Sequence, residues 1–153
     1  IIEKRGFIMN LSYEKATESD IEAIYEFNKY VIDRYENIQN IEYEKVLNWV
    51  HRKIETYIDE YQRILFDGEL AGYFRFHQDG DKMELDDLYV FPHYRNQQIG
   101  TRVIEKCLSE TTMPIYLYVF MKNVKAVSLY ERLGFKVVET IKDSRYIMQV
   151  DRK

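Results

Sequence analysis

The chain contains little cysteine, which could form disulfides, and little proline or glycine, which interrupt helices and strands. Its 153 residues include one cysteine, two prolines and six glycines, and no run approaches the ~18 consecutive apolar residues of a membrane span. A single thiol excludes an internal disulfide, which favours a reducing, cytoplasmic location. That thiol, Cys107, lies within an apolar helical pattern and is predicted to be an inert core residue. The sequence therefore predicts neither a disulfide scaffold nor a membrane partner.

The chain also lacks the excess of basic residues that a nucleic-acid binder usually shows. Its formal net charge is −4, with 22 Lys and Arg against 26 Asp and Glu, so we expect no nucleic-acid partner. The three histidines, His51, His77 and His93, have no ligand spacing among them and are expected at the surface. No metal site is predicted.

No repeat, low-complexity tract or linker divides the sequence. We interpret residues 1–8 as a tag or upstream segment, because they precede an internal Met9 and lack the long apolar stretch of a signal peptide. A hydrophobic content of 46% is sufficient for one core, so residues 9–153 are predicted to form a single domain.

Hydrophobic periodicity predicts an α+β domain with a mixed sheet. The predicted elements are a strand at 11–15, helices at 21–32 and 46–58, strands at 63–66, 70–76 and 83–91, a helix at 99–108, a strand at 115–120, a helix at 124–133, and strands at 135–141 and 146–150. Asp67-Gly68, between two of the strands, is typical of a hairpin turn.

Residues 88–101 carry a strand through a short polar loop into the start of a helix. Such a start exposes unpaired N–H groups and the positive end of the helix dipole, which together attract anions. Arg95 adds a guanidinium suited to phosphate, and Gly100 lets a ligand approach the backbone. The pattern predicts a phosphate site, and a plain turn with a surface arginine is the alternative.

A second pattern follows the strand at 115–120. Asn123 is a good helix N-cap, and Gly134 is suited to the residue after the last helical turn. The apolar residues between them fall on one helical face, so structure alone explains this segment.

Together the two segments resemble the GNAT superfamily of N-acetyltransferases. The first is similar to the family's cofactor motif, Arg or Gln followed by x-x-Gly-x-Gly or Ala, at Arg95 and Gly100. The second is similar to the family's Asn-x-x-Ala-x-x-Leu-Tyr-x-x-Leu-Gly-Phe block, from Asn123 to Phe135. The resemblance covers residues 11–150 and implies the GNAT fold, a mixed, mostly antiparallel central sheet flanked by about four helices.

The resemblance implies acetyl-CoA as co-substrate, held by loop amides and by strand backbone without a metal. The implied cofactor-binding residues are Leu88, Tyr89, Val90, Arg95, Asn96, Gln97, Gln98, Ile99, Gly100, Thr101 and Asn123. Tyr130 is the implied acid, near the cofactor sulfur. The strands at 83–91 and 115–120 are expected to splay apart around the pantetheine arm.

Three carboxylates on the strand at 83–91 are candidates for the base. Glu84 and Asp86 share a face at period 2, and Asp87 is expected to face the other way. By resemblance, Glu84 holds the position of the catalytic glutamate of histone-acetylating members. Asp86 and a water chain remain alternatives.

The implied activity is transfer of an acetyl group from acetyl-CoA to a primary amine by direct attack in a ternary complex. The acceptor is expected to be a small-molecule or peptide amine, and a homodimer is a compatible assembly.

One position departs from the motif, because Gln98 stands where the family has its first glycine. We expect a right-handed backbone at Gln98, which lets a glutamine fit with its side chain in solvent. If that side chain instead blocks the site, the chain is a catalytically weak GNAT-like CoA-sensing or interaction module.

Overall fold

The structure, a computed structural model, describes residues 2–4 and 7–152. The strands are β1 (Ile2–Lys4), β2 (Phe7–Met9), β3 (Leu11–Lys15), β4 (Tyr61–Phe66), β5 (Glu69–Asp79), β6 (Lys82–Val90), β7 (Ile115–Phe120), β8 (Lys136–Ile141) and β9 (Arg145–Val150). The α-helices are α1 (Ile21–Tyr35), α2 (Tyr43–Tyr57), α3 (Ile99–Glu110) and α4 (Val124–Arg132). Each element predicted from the sequence is thereby confirmed, with ends that differ by at most three residues.

Local sequence signals explain several of these boundaries. Thr17 and Asp20 form a capping box ahead of α1, in which the Thr17 N–H donates to Asp20 Oδ2 at 2.9 Å. Asp67 and Gly68 both have positive φ, 52° and 83°, as a two-residue hairpin turn between β4 and β5 requires. Asn123 caps α4, since its Oδ1 accepts from the Ala126 N–H at 3.4 Å.

Seven strands form one mixed sheet in the order β3-β4-β5-β6-β7-β9-β8. Only the β6–β7 pair is parallel, and every other pair in this sheet is antiparallel. β1 and β2 pair with each other in a separate two-stranded sheet. The interpretation of residues 1–8 as a tag or upstream segment stays a prediction, and residues 1, 5 and 6 lie outside the described residues.

Helices cover both faces of the large sheet and bury two apolar cores. One core joins the sheet to α3 and α4 and includes the fully buried Val103, Ile104 and Cys107. The other joins it to α1 and α2 and includes Ile24 and Ile54. Burial raises the pKa of the Cys107 thiol to about 12, which keeps it protonated and confirms it as a core residue. Within the described residues, no helix is both long and apolar enough to cross a membrane.

Candidate active site

Strands β6 and β7 separate after a short parallel pairing. Their ladder contains Met83 opposite Ile115 and Glu84 opposite Tyr116, and no later pair among the described residues. β6 remains paired with β5 on its other side as far as Val90. The expected splay of the two strands is therefore present, and it begins at Glu84.

The separation leaves backbone groups of β6 directed into the gap. The Phe91 N–H donates to the Ala71 carbonyl at 2.8 Å, on the β5 side. Because successive residues of a strand direct their amides to opposite sides, the N–H groups of Leu88 and Val90 face β7. An extended ligand lying in this gap would find strand-like partners there.

The loop between β6 and α3 has an unusual backbone. Asn96 and Gln98 both lie in the left-handed region, at φ 64° and 62°, and α3 begins at the next residue, Ile99. The expectation of a right-handed backbone at Gln98 was therefore wrong. A left-handed residue directly before a right-handed one turns successive N–H groups toward one point, and such a concave arrangement binds anions.

A groove of about 650 Å³ lies between the first turn of α3 and the length of α4, from Val124 to Arg132. Each helix start contributes partial positive charge of about half an elementary charge. Three cations also line the groove, Arg95, Lys125 and Arg132, and none of its described lining residues is acidic. The groove is a strongly anion-attracting surface on a chain of net charge −4.

Most of the cofactor-binding residues expected from the motif line this groove. They are Val90, Arg95, Asn96, Gln98, Ile99, Gly100 and Thr101. Four others lie elsewhere: Leu88 packs on the α3/α4 core, Tyr89 stacks on Phe27 at 4.6 Å, Gln97 lines a separate cavity of about 310 Å³, and Asn123 caps α4.

Sequence reasoning missed the contribution of α4 to the groove. Lys125, Ser128 and Arg132 line it and are spaced three and four residues apart, as on one face of a helix. That spacing was readable in the sequence, but only the fold shows which face points to α3.

Arg95 is held in place by its own strand. Its Nε donates to the Val90 carbonyl at 3.0 Å, and its guanidinium lies 5.3 Å from the centre of the Tyr89 ring. The two terminal nitrogens make no hydrogen bond to a described residue. They remain available for a bidentate contact with a phosphate.

Gly100 is not required by the protein's own packing. A Cβ built there would meet only Leu129 Cδ2, at 3.4 Å, and its φ is not positive. Its missing side chain instead widens the groove beside the first turn of α3.

Tyr130 lies beneath the groove, on the side of α4 that faces the sheet. Its side chain is 9% exposed, and its ring lies 5.9 Å from that of Phe135. Burial raises the pKa of Tyr130 to about 12, so the phenol stays protonated at neutral pH. Its hydroxyl makes no hydrogen bond within the described part of the chain.

Glu84 stands at the point where β6 leaves β7, and it is paired with a histidine. His77, opposite on β5, lies with Nε2 2.8 Å from Glu84 Oε1. The His77 side chain is only 18% exposed, so the expectation of a surface residue was wrong for this histidine. His51 and His93 lie nearer the surface, and His51 bridges Glu22 and Glu55.

Asp86 and Asp87 both face α1 and α2, which corrects the expected alternation. A bulge places two residues, Asp87 and Leu88, opposite the single Phe74. Lys53 Nζ then contacts both carboxylates, Asp86 at 2.6 Å and Asp87 at 3.3 Å. Glu84 is 13% exposed, against 17% for Asp86 and 12% for Asp87, so exposure does not separate the three candidates. Lys53 contacts both aspartates, whereas among the described residues only a histidine pairs with Glu84, and this leaves Glu84 as the candidate for a base.

The environments of the two aspartates differ. Burial and the neighbouring Asp87 raise the pKa of Asp86. Burial also acts to raise the pKa of Asp87, but Lys53 and the Tyr61 hydroxyl outweigh it and hold that pKa below its usual value. Within the described chain, no group of three or more His, Cys, Asp or Glu side chains is arranged to hold a metal ion.

Comparison with known proteins identifies close parallels. Residues 20–135 match the profile of the acetyltransferase (GNAT) family. A segment of 59 residues is 42% identical to a thialysine N-ε-acetyltransferase of Mus musculus and covers 36% of this chain and 35% of that protein. The match thus spans about a third of the length of this relative.

Two crystal structures share the fold over nearly the whole chain. The PaiA N-acetyltransferase of Thermoplasma acidophilum, solved in complex with coenzyme A, has a TM-score of 0.68 at 21% identity and covers 93% of this chain and 99% of its own. An N-acetyltransferase of Staphylococcus aureus Mu50 has a TM-score of 0.70 at 16% identity, with coverage of 91% and 100%. The fold implied by the sequence motifs is confirmed.

The left-handed backbone at position 98 generates a stability prediction. A residue with a Cβ is disfavoured in that region by about 1–2 kcal/mol, whereas glycine adopts it readily. We expect Gln98→Gly to raise the free energy of unfolding by about 1 kcal/mol in urea denaturation. Gln97→Gly, at a position without positive φ, is the matched control and should lower it. A loss of stability in Gln98→Gly would contradict the left-handed assignment.

Proposed function

The chain belongs to the acetyltransferase (GNAT) family, and on this premise we propose that it moves an acetyl group from acetyl-CoA to a primary amine by direct attack in a ternary complex. The observation that carries the proposal is the cationic groove at two helix starts, next to the gap beside β6. CoA combines phosphate groups with an extended, amide-containing arm. The groove suits the first part, and the free strand edge suits the second.

The chain's residues divide the binding of acetyl-CoA between them. Arg95 and the amides of residues 96–101 would hold the pyrophosphate, and Lys125 and Arg132 would face further negative charge. The N–H groups of Leu88 and Val90 would pair with the pantetheine arm. The proposed arrangement needs no metal.

Bound acetyl-CoA supplies a thioester whose carbonyl develops negative charge as the amine attacks. A preorganised N–H donor aimed at that oxygen is the usual source of stabilisation, and losing one typically costs about 10²–10³ in kcat. Whichever of the Leu88 and Val90 amides the pantetheine arm leaves unpaired is our candidate for this donor.

The acceptor must lose a proton before or during attack. An alkyl ammonium has a pKa of about 10.4, so little neutral amine is present at pH 7. Glu84 borders the gap and is our proposed proton acceptor, either directly or through one water. The hydrogen bond from His77 fixes the orientation of its carboxylate.

The departing thiolate needs a proton, and Tyr130 is our proposed donor. Three features support this role: the phenol is protonated at neutral pH, it is buried, and its hydroxyl is not engaged by a described residue. The conjugate thiol has a pKa near 8.5, below that of the buried phenol, so Tyr130 would donate a hydrogen bond to the developing thiolate, and any proton it passes on would be regained from solvent.

The acceptor is proposed to be a small-molecule or peptide amine. The mouse relative is named for acetylation of a side-chain amine, which supports a flexible primary amine as acceptor. Because that match covers 59 residues, the support concerns the chemical class only.

A CoA-sensing or interaction module is the second candidate. The strained, non-glycine Gln98 in the groove favours it, since its side chain lines the space where a phosphate would sit. The two candidates differ in turnover rather than in fold.

The proposed function predicts acetyl-CoA binding that depends on Arg95. We expect Arg95→Ala to weaken the calorimetric affinity by about 1–3 kcal/mol, because a charge-assisted contact is lost. Arg102→Ala, in the first turn of α3 but outside the groove lining, is the control and should bind as wild type does. Thiol release with a panel of primary amines then tests turnover. Binding without turnover on any amine would favour the module, and absence of both would refute the proposed function.

Removal of the Tyr130 hydroxyl should affect chemistry and not folding. Tyr130→Phe keeps the ring packing, so the unfolding midpoint should hardly change. We expect kcat to fall by about 10²–10⁴ while CoA affinity holds. Tyr13→Phe removes the hydroxyl of a half-buried tyrosine on the edge strand β3 and should keep full activity. Full activity in Tyr130→Phe would show that Tyr130 is not the proton donor and serves only in packing the core.

Replacement of the proposed base should change the pH profile of kcat/KM. In Glu84→Gln the reaction must use amine that is already neutral, and its fraction rises tenfold per pH unit below a pKa of about 10.4. The deficit relative to wild type should therefore be largest at low pH and should shrink as pH rises. Glu139→Gln, on the exposed strand β8, is the control. An unchanged profile in Glu84→Gln would transfer the role to Asp86 or water.

A further inference from the structure

The bulge in β6 lies where the proposed reaction would take place. Asp87 has a positive φ of 50°, which is rare for a non-glycine residue within a strand. Beyond the bulge, Gly72, which pairs with Val90, lies so close to β6 that an added Cβ would stand 2.1 Å from the Tyr89 carbonyl oxygen. The backbone of β6 is therefore tightly constrained at Asp87, the residue before Leu88 and three residues before Val90.

The Asp87 carboxylate is held by three different elements at one oxygen. Oδ2 accepts from the Tyr61 hydroxyl of β4 at 2.6 Å, from Lys53 Nζ of α2 at 3.3 Å, and from Asn28 Nδ2 of α1 at 3.3 Å. The side chain is 12% exposed. The layer formed by α1 and α2 therefore fixes this carboxylate from several directions.

The neighbouring carboxylate extends the same network. Asp86 Oδ2 contacts Lys53 Nζ at 2.6 Å and Arg75 Nη1 at 3.1 Å. Arg75 also reaches Glu60 at 2.7 Å and is 6% exposed. Removing so many charges from water is costly, and such pairs are weak evidence of a gain in stability. Because burying these charges is costly, we attribute to the network a role in fixing the backbone geometry of β6 rather than in adding stability.

We infer that Asp87 is a positioning residue for the proposed acetyl transfer. Anchored by Tyr61, Lys53 and Asn28, it holds β6 in the left-handed bulge that aims the N–H groups of Leu88 and Val90 into the gap. The inference rests on the proposed function, because the direction of these N–H groups affects catalysis only if the thioester carbonyl of acetyl-CoA lies in the gap. It gives α1 and α2 a role on the cofactor side of the site.

The test compares two buried tyrosines whose hydroxyls each donate to a buried carboxylate. Tyr61 donates to Asp87 at 2.6 Å and Tyr73 donates to Asp20 at 2.7 Å, and the two side chains are 0% and 1% exposed. Phenylalanine at either position removes one hydroxyl and keeps the ring. Only the Tyr61 hydroxyl belongs to the hydrogen-bond network at the bulge; Tyr73 lies beside the bulge, opposite Tyr89, but its hydroxyl bonds to Asp20.

We expect Tyr61→Phe to lower kcat by about tenfold or more, because a small displacement of reacting groups can cost 10²-fold, while KM for the amine changes little. Tyr73→Phe should keep wild-type kcat at a temperature well below its unfolding midpoint. Asp87→Gly tolerates the positive φ but has no anchor, and it should lose at least as much kcat as Tyr61→Phe. Equal kcat in Tyr61→Phe, Tyr73→Phe and wild type would overturn the inference.

A second measurement does not depend on turnover. The NMR chemical shifts of the Leu88 and Val90 amides (¹⁵N and ¹H) should change in Tyr61→Phe and should remain at their wild-type values in Tyr73→Phe. If wild type acetylates no amine, the proposed function fails, and these shifts still decide whether Asp87 positions the strand. Unmoved shifts in both Tyr61→Phe and Asp87→Gly would overturn the positioning role.

Discussion

Strand β6 has a strand partner on only one side over its second half, and the rest of the molecule is organised around that fact. A buried backbone N–H or C=O without a partner costs about 1–3 kcal/mol, so folded chains rarely leave a strand edge open inside a sheet. Here the ladder to β7 stops at Glu84, while β7 continues its pairing with β9. The opening is stable because β5 and the α1/α2 layer hold β6 independently of β7.

The groove shows that net charge is a poor guide to local binding. The chain carries a formal charge of −4, yet Arg95, Lys125 and Arg132 converge with two helix N-termini on one groove. Each helix start acts only over its first turn, so the dipole contribution is confined to the first turns of α3 and α4, whereas Arg132 adds positive charge at the last residue of α4. Acidic residues placed elsewhere on the surface do not cancel it, because salt screens them over about 8–10 Å.

The sequence predicted the helices and strands because each rests on a local period of apolar residues, as at 99–108 and 115–120. It also predicted most of the groove, since the motif around Arg95 lies on consecutive residues. The pairing of His77 with Glu84 was not predictable in this way, because it depends on the register between two strands. The positions of Asp87 and Gln98 were missed for another reason, since both depend on a backbone handedness that side-chain type does not favour.

Backbone strain in the described chain is concentrated beside the proposed site. Five non-glycine residues have positive φ, and two of them, Asp67 and Lys142, lie in hairpin turns where such angles are usual. The other three, Asp87, Asn96 and Gln98, fall in one segment that borders both the gap and the groove. Strained residues persist only where surrounding contacts over-determine them. The anchors on Asp87 supply such contacts at the gap. The positive-φ residues outside hairpin turns thus cluster within residues 87–98, beside the proposed site.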